Sequence, residues 1–126
     1  MLPFQEEQNT IINRAAVLLK YKSPAVQWIN EADPYNADPG ILLESVNEDR
    51  KVYLIKDEDA DGQGAIEQWI KMNYEALFEN ELKGWYTDEN LWPKKRDLKL
   101  FREWFDVDYH SVIEDTVGLP IKDDET

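Results

Sequence analysis

An apolar stripe of Ile66, Ile70, Tyr74, Leu77, Phe78 and Leu82 recurs at helical spacing, with Trp69 alongside. No other feature of the chain constrains its fold as much. The stripe predicts a long helix that follows an acidic, glycine-containing loop, Asp57 to Gly64, and runs to about Lys83. Gly84 is the expected C-terminal stop. A helix with one apolar side has to bury it against another layer. The segment just before the loop offers a strand for that layer. Lys51 to Lys56 contains Val52-Tyr53-Leu54-Ile55, rich in β-branched and aromatic residues. Its lack of alternation predicts burial on both faces.

The remaining elements follow from the same kind of pattern. Gln5 to Lys20 places Ile11, Ile12, Ala15, Leu18 and Leu19 at helical spacing, which predicts an amphipathic helix. Ser23-Pro24 should end it, because the residue before a proline is pushed out of the helical region. Ala25 to Asn30, with Val26, Trp28 and Ile29, then reads as a short strand. A helix starting at Pro24 and capped by Ser23 is the alternative. Asp38-Pro39 reads as an N-cap with proline behind it, opening a short helix over Ile41 to Asn47 that buries Leu42, Leu43 and Val46. Trp85 to Pro93 is an irregular aromatic connection. Leu98, Phe101, Trp104 and Phe105 mark another helix. Val107 to Ile113 alternates, with Val107, Tyr109, Ser111 and Ile113 on one side, and reads as a final strand. The predicted order, α-β-α-β-α-α-β, is that of a small α+β domain: about three strands covered by helices. One domain is expected over residues 1–120, and a frayed acidic tail over residues 121–126.

Charge narrows the function classes. The chain has 27 acidic and 14 basic side chains, a net charge of −13. Such a chain is not expected to hold nucleic acid by neutralising phosphates, nor to dock on an anionic membrane. Its 5 Trp, 6 Tyr and 4 Phe set it apart from disordered acidic chains, so it is expected to fold. With no cysteine, disulfides, thiolate zinc sites and cysteine nucleophiles are all removed. MLPFQEEQNT has neither a basic nor an apolar signal region, and a cytoplasmic location is expected. The acidity is uneven. Residues 31–61 carry ten acidic and three basic side chains, and residues 103–126 carry eight and one. Between them Lys94, Lys95, Arg96, Lys99 and Arg102 face Asp97 alone, a basic island expected to pair internally or to mark an anion site.

Three local patterns could carry chemistry. Asp57-x-Asp59-x-Asp61-Gly62 begins like a calcium loop, with carboxylates at alternate positions and a glycine for the turn. Its twelfth position, however, is Gln68 rather than a bidentate glutamate. The competing reading is a solvated acidic loop leading into a helix N-terminus. Asp106-x-Asp108-x-His110 would align two carboxylates and the only histidine on one strand face. That arrangement suits a metal or a general base, but equally a charged face that is simply solvated. Trp92, Arg96 and Trp104 could form a pocket for a planar or anionic ligand, with the guanidinium as the fork. Against that stands ordinary packing of tryptophans in a core. The chain contains no phosphate-binding glycine loop, nucleophile elbow or paired-histidine zinc motif.

Several phrases occur together: Val46-Asn47-Glu48-Asp49 ahead of Val52-Tyr53-Leu54-Ile55, then Asn73-Tyr74 with Phe78-x-x-Glu81-Leu82, Trp92-Pro93-x-x-Arg96, and Phe101-x-x-Trp104-Phe105 with His110-Ser111. In these the chain resembles a group of small, acidic, uncharacterised bacterial proteins. The resemblance implies a bacterial cytoplasmic protein and assigns no catalytic residue. The leading expectation is a non-enzymatic interaction or regulatory domain, without cofactor, as a monomer or a homodimer. Its acidic face around Asp57, Glu58, Asp59 and Asp61 would meet a basic protein. The alternatives are a small anionic-ligand binder or enzyme at Trp92, Arg96 and Trp104, and calcium binding at Asp57, Asp59 and Asp61.

Overall fold

The strand β2 (Arg14–Tyr21) runs through the middle of the molecule, which a computed structural model describes over residues 10–35 and 38–124. Ala15, Val17, Leu19 and Tyr21 point into the core, none more than 7% exposed. On either side β2 pairs antiparallel with β3 (Val52–Lys56) and β4 (Phe105–His110), so Val17 lies opposite both Tyr53 and Tyr109. This overturns the helix expected over Gln5 to Lys20, of which residues 5–9 lie outside the described residues. Alanine and leucine favour helices locally, and Ala16 and Leu18 on the reverse face blur the period of two. Hydrogen bonding along both edges supplies what propensity does not.

The next element is also reversed relative to the first expectation. Residues Ser23–Glu31 form helix α1, not a strand over Ala25 to Asn30, in agreement with the helical alternative. Ala25, Val26 and Ile29 recur at helical spacing and are buried, and Pro24 fits the first turn, where no backbone donor is needed. The cap is the Lys22 backbone rather than the Ser23 side chain.

The short helix α2 (Leu43–Val46) starts later than expected, with Leu42 and not Asp38 as its N-cap. The Asp38 carboxylate instead accepts the Gly40 N–H at 2.7 Å, a local turn bond. A single turn can bury only one side. Val46 is half-buried, while Leu42 and Leu43 stay exposed, contrary to their expected burial. Asn47 closes this turn and clamps the end of β2. Its amide donates to the Tyr21 carbonyl at 3.0 Å and its side-chain oxygen accepts the Tyr21 N–H at 2.8 Å. One side chain thus satisfies both backbone groups where strand pairing has run out.

β3 is an edge strand, buried on one face rather than two. Ile55 is buried and Tyr53 half-buried, whereas Val52 and Leu54 are each 51% exposed. The outward pair stands beside Leu18 and Ala16 on the sheet's reverse face, which accounts for the unbroken apolar run. A 3₁₀ turn (Asp57–Ala60) leads to helix α3 (Gln63–Trp85), which buries Ile66, Ile70, Leu77, Phe78 and Leu82. Gly84 does not stop this helix. Trp85 extends it, its indole N–H donating to the Tyr21 hydroxyl at 2.8 Å. Gly62, the N-cap of α3, has φ +92° and ψ 172°, a conformation essentially reserved for glycine. Gly62→Ala is therefore expected to destabilise the fold by about 1–3 kcal/mol, read from urea denaturation. A change below about 0.5 kcal/mol, the usual surface effect, would contradict this account of the junction.

Helix α4 (Leu98–Trp104) begins at Asp97, whose carboxylate accepts the Leu100 N–H at 2.9 Å. Phe105, expected in this helix, is already the first residue of β4. β4, expected to be the final strand and to reach Ile113, ends at His110, and the chain then forms β5 (Glu114–Asp115) against β1 (Thr10–Ile11). The protein is α+β, a small three-stranded antiparallel sheet packed with helices. Its principal elements run β-α-α-β-α-α-β, so the expected order had the first two exchanged. Among the described residues no helix is long and apolar enough to cross a membrane.

Candidate functional site

The junction between β3 and α3 concentrates exposed negative charge. Ala60 is 1% exposed and pins the 3₁₀ turn to the core, leaving Asp57, Glu58 and Asp61 outside. These three line an open depression of about 470 Å³, with Tyr109 of β4 and Ser111 just beyond its end. No basic side chain lines it. Asp59 is half-buried and takes no part in the lining. Among the described residues, no group of three or more carboxylates or histidines is placed to hold a metal ion. The reason for Asp57, Asp59 and Asp61 is geometric. Asp57 and Asp59 are two apart in the 3₁₀ turn and so point in different directions, which leaves Asp59 away from the depression that Asp57 and Asp61 line.

Three cations of the basic island pair with carboxylates away from this junction. Arg102 donates to Glu67 at 2.6 Å, Arg96 lies 3.6 Å from Glu79, and Lys95 lies 3.6 Å from Asp97. The bond from Arg102 holds the Glu67 carboxyl below the usual carboxylate range, and the Leu100 N–H does the same for Asp97. None of Asp57, Glu58, Asp59 and Asp61 has such a cationic partner.

Trp92 and Trp104 are core residues, each 7% exposed. The Trp92 indole N–H donates to the Tyr86 carbonyl at 2.7 Å, and the Trp104 ring packs 5.4 Å from Phe78 and 5.5 Å from Trp28. The Arg96 guanidinium lies over the Trp92 ring at 5.6 Å and donates to the Pro93 carbonyl at 2.8 Å. Arg96 also borders a depression of about 250 Å³ with Glu75, Glu79 and Lys94. The structure thus joins Trp92 to Arg96 and sets Trp104 apart from that depression. His110 is exposed on the reverse face of the sheet, opposite Ala16. Its strand neighbours face cations: Asp108 binds Arg50 at 2.7 Å, and Asp106 lies 3.9 Å from Lys22.

A second site gathers residues that the sequence pattern does not connect. Glu81, half-buried on α3, accepts the Tyr21 hydroxyl at 2.8 Å through one oxygen and the Tyr53 hydroxyl through the other. The Trp85 indole and the Asn80 amide donate to these phenols, each at 2.8 Å. Burial first, and then the Glu81 carboxylate, push both phenols well above the ordinary phenol range. They therefore remain hydrogen-bond donors to Glu81 across the physiological range. The available signal was an acidic residue on the apolar stripe: Phe78, Glu81, Leu82 and Trp85 share one helix face. Its partners Tyr21 and Tyr53 lie on β2 and β3, far from it in the chain, and reach it only through the sheet.

No protein-family model matches the chain, and neither the curated proteins nor the solved structures include a significant match to it.

Proposed function

We propose that the protein is a non-enzymatic interaction module that meets a basic protein through the acidic β3–α3 junction, in the bacterial cytoplasmic setting its resemblance implies. One observation carries this reading. Lys95, Arg96 and Arg102 of the basic island pair within the chain, while Asp57, Glu58 and Asp61 line an open depression without a counter-charge. Uncompensated charge at an open surface steers an oppositely charged partner and raises its association rate. Tyr109 and Ser111 add an aromatic wall and a hydroxyl against which a lysine or arginine stem could pack.

The test is affinity capture from bacterial lysate with the intact chain and with the Asp57→Asn, Glu58→Gln, Asp61→Asn triple variant. At low salt the intact chain should retain a basic protein that high salt releases, because screening acts on exposed charges. The triple variant should lose it. Equal capture by both proteins, or capture indifferent to salt, would overturn the proposal.

A further inference from the structure

We propose that the cavity between β2, the α2–β3 loop and the last turn of α3 is a binding site for a small organic ammonium ion, with Glu81 as its anchor. The cavity holds about 210 Å³, roughly the liquid volume of seven waters, enough for a short alkyl amine. Leu19 and Val46 give it apolar walls, Tyr21 and Trp85 give it aromatic ones, and Glu81 lines it.

The partners of Glu81 single out this carboxylate. Both of its hydrogen-bonded side-chain partners, Tyr21 and Tyr53, are neutral, and none of the ion pairs includes it. The two phenol hydrogen bonds satisfy part of this half-buried carboxylate's polar demand and leave its charge unmatched, so a cation in the cavity would meet it favourably. The two phenols occupy one lone-pair direction on each oxygen, and a second direction on each remains for a ligand N–H. Placing an indole and a phenol beside that carboxylate favours an organic cation over a hydrated metal ion. The site also sits at the C-terminal end of α3, where the backbone carbonyls carry partial negative charge. Glycine at position 84 leaves the cavity wall without a side chain: a Cβ there would meet nothing within 4 Å.

Two cations stand in the same lining, Arg50 and Lys51, and they set the expected preference. Arg50 is held by Asp108 at 2.7 Å, and the Lys51 ammonium lies 6.0 Å from the Tyr53 ring centre. Asp49 beside them adds a carboxylate. The lining therefore tolerates a single positive charge at Glu81 and repels a second one near the loop. A monoamine should bind better than a diamine of equal length.

The probes are n-butylamine, putrescine and n-butanol, titrated into the intact chain with NMR detection of the Trp85 indole N–H. Butylamine should shift that signal saturably, butanol should not, and putrescine should bind more weakly than butylamine. Glu81→Gln keeps the side-chain shape and should weaken butylamine by about tenfold or more, the usual weight of a charge-assisted bond. The triple variant at the acidic junction should bind butylamine as the intact chain does, which separates this site from the proposed partner face. If Glu81→Gln fails to fold, the indole shift in the intact chain decides alone. The proposal is overturned if butylamine leaves the Trp85 signal unmoved, if butanol moves it equally, or if binding vanishes in the junction variant and persists in folded Glu81→Gln.

Discussion

Replacing Phe78 by alanine is expected to lower the free energy of unfolding by about 3–5 kcal/mol. That is a large share of the roughly 5–15 kcal/mol that holds a typical domain together. Phe78 is 0% exposed, and its ring lies 5.8 Å from Phe101, 5.4 Å from Trp104 and 5.7 Å from Phe105. It is the point at which α3 meets α4 and the start of β4. Three large rings around one site cannot collapse into the space a phenyl group leaves, so a cavity term adds to the lost burial. Met72→Ala on the same helix is the control. Met72 is 75% exposed, and its loss should stay within about 0.5 kcal/mol. Urea denaturation of both variants checks the pair. A Phe78→Ala loss below about 1.5 kcal/mol, smaller than that of most buried-phenylalanine truncations, would mean that these elements do not pack as described.

The second large effect is an alkaline transition centred on Tyr21 and Tyr53. Their folded-state phenols titrate well above the ordinary value of about 10, through burial first and the Glu81 charge next. A raised folded value means the folded state holds its protons more tightly than the unfolded chain. The stabilisation is fully present below pH about 10 and is lost as pH rises from there towards the folded-state values. While Tyr21 stays protonated only when folded, it contributes a slope of about 1.4 kcal/mol per pH unit. Tyr53 is more open to solvent and adds less. Denaturation at a series of pH values should therefore show little tyrosine-linked change up to about 10 and a steep decline above it. Tyr21→Phe should flatten that decline. An unchanged slope in Tyr21→Phe would show that the phenol is not the linked group.

What was legible in the sequence was local. The stripe Ile66 to Leu82 marks α3 because every apolar position falls on one helix face. Phe101 and Trp104 mark α4 in the same way, and Val52 to Ile55 marks β3 by residue type. The acidic junction was legible because its carboxylates are neighbours in the chain. Arg14–Tyr21 was not, because Ala15, Leu18 and Leu19 satisfy a helical template while Ala15, Val17, Leu19 and Tyr21 satisfy a strand one. Only pairing with β3 and β4, far along the chain, decides between them. Ala25 to Asn30 is too short to show its period by itself, and Val26, Trp28 and Ile29 suit a strand by residue type, whereas the structure forms the helical alternative. The Glu81 site was hidden for a related reason, since residues 21, 53, 81 and 85 come together only through the sheet. Gly84 misled in a smaller way, because a tertiary anchor at Trp85 outweighs the local tendency of glycine to end a helix.

The central functional claim is that the carboxylates gathered around the open depression at the β3–α3 junction, where no basic side chain lines the wall, form the face that meets a basic partner. Its most direct measurement is a residue-resolved NMR titration with a short lysine-rich peptide at low ionic strength. The account predicts that the largest shifts fall on the amides of Asp57 to Gly62 and on Tyr109 and Ser111, and that added salt removes them. The basic island at Lys94 to Arg102 and the reverse face at Val52 and Leu54 should move least. Shifts of similar size spread over the whole acidic surface, or centred away from the junction, would contradict it.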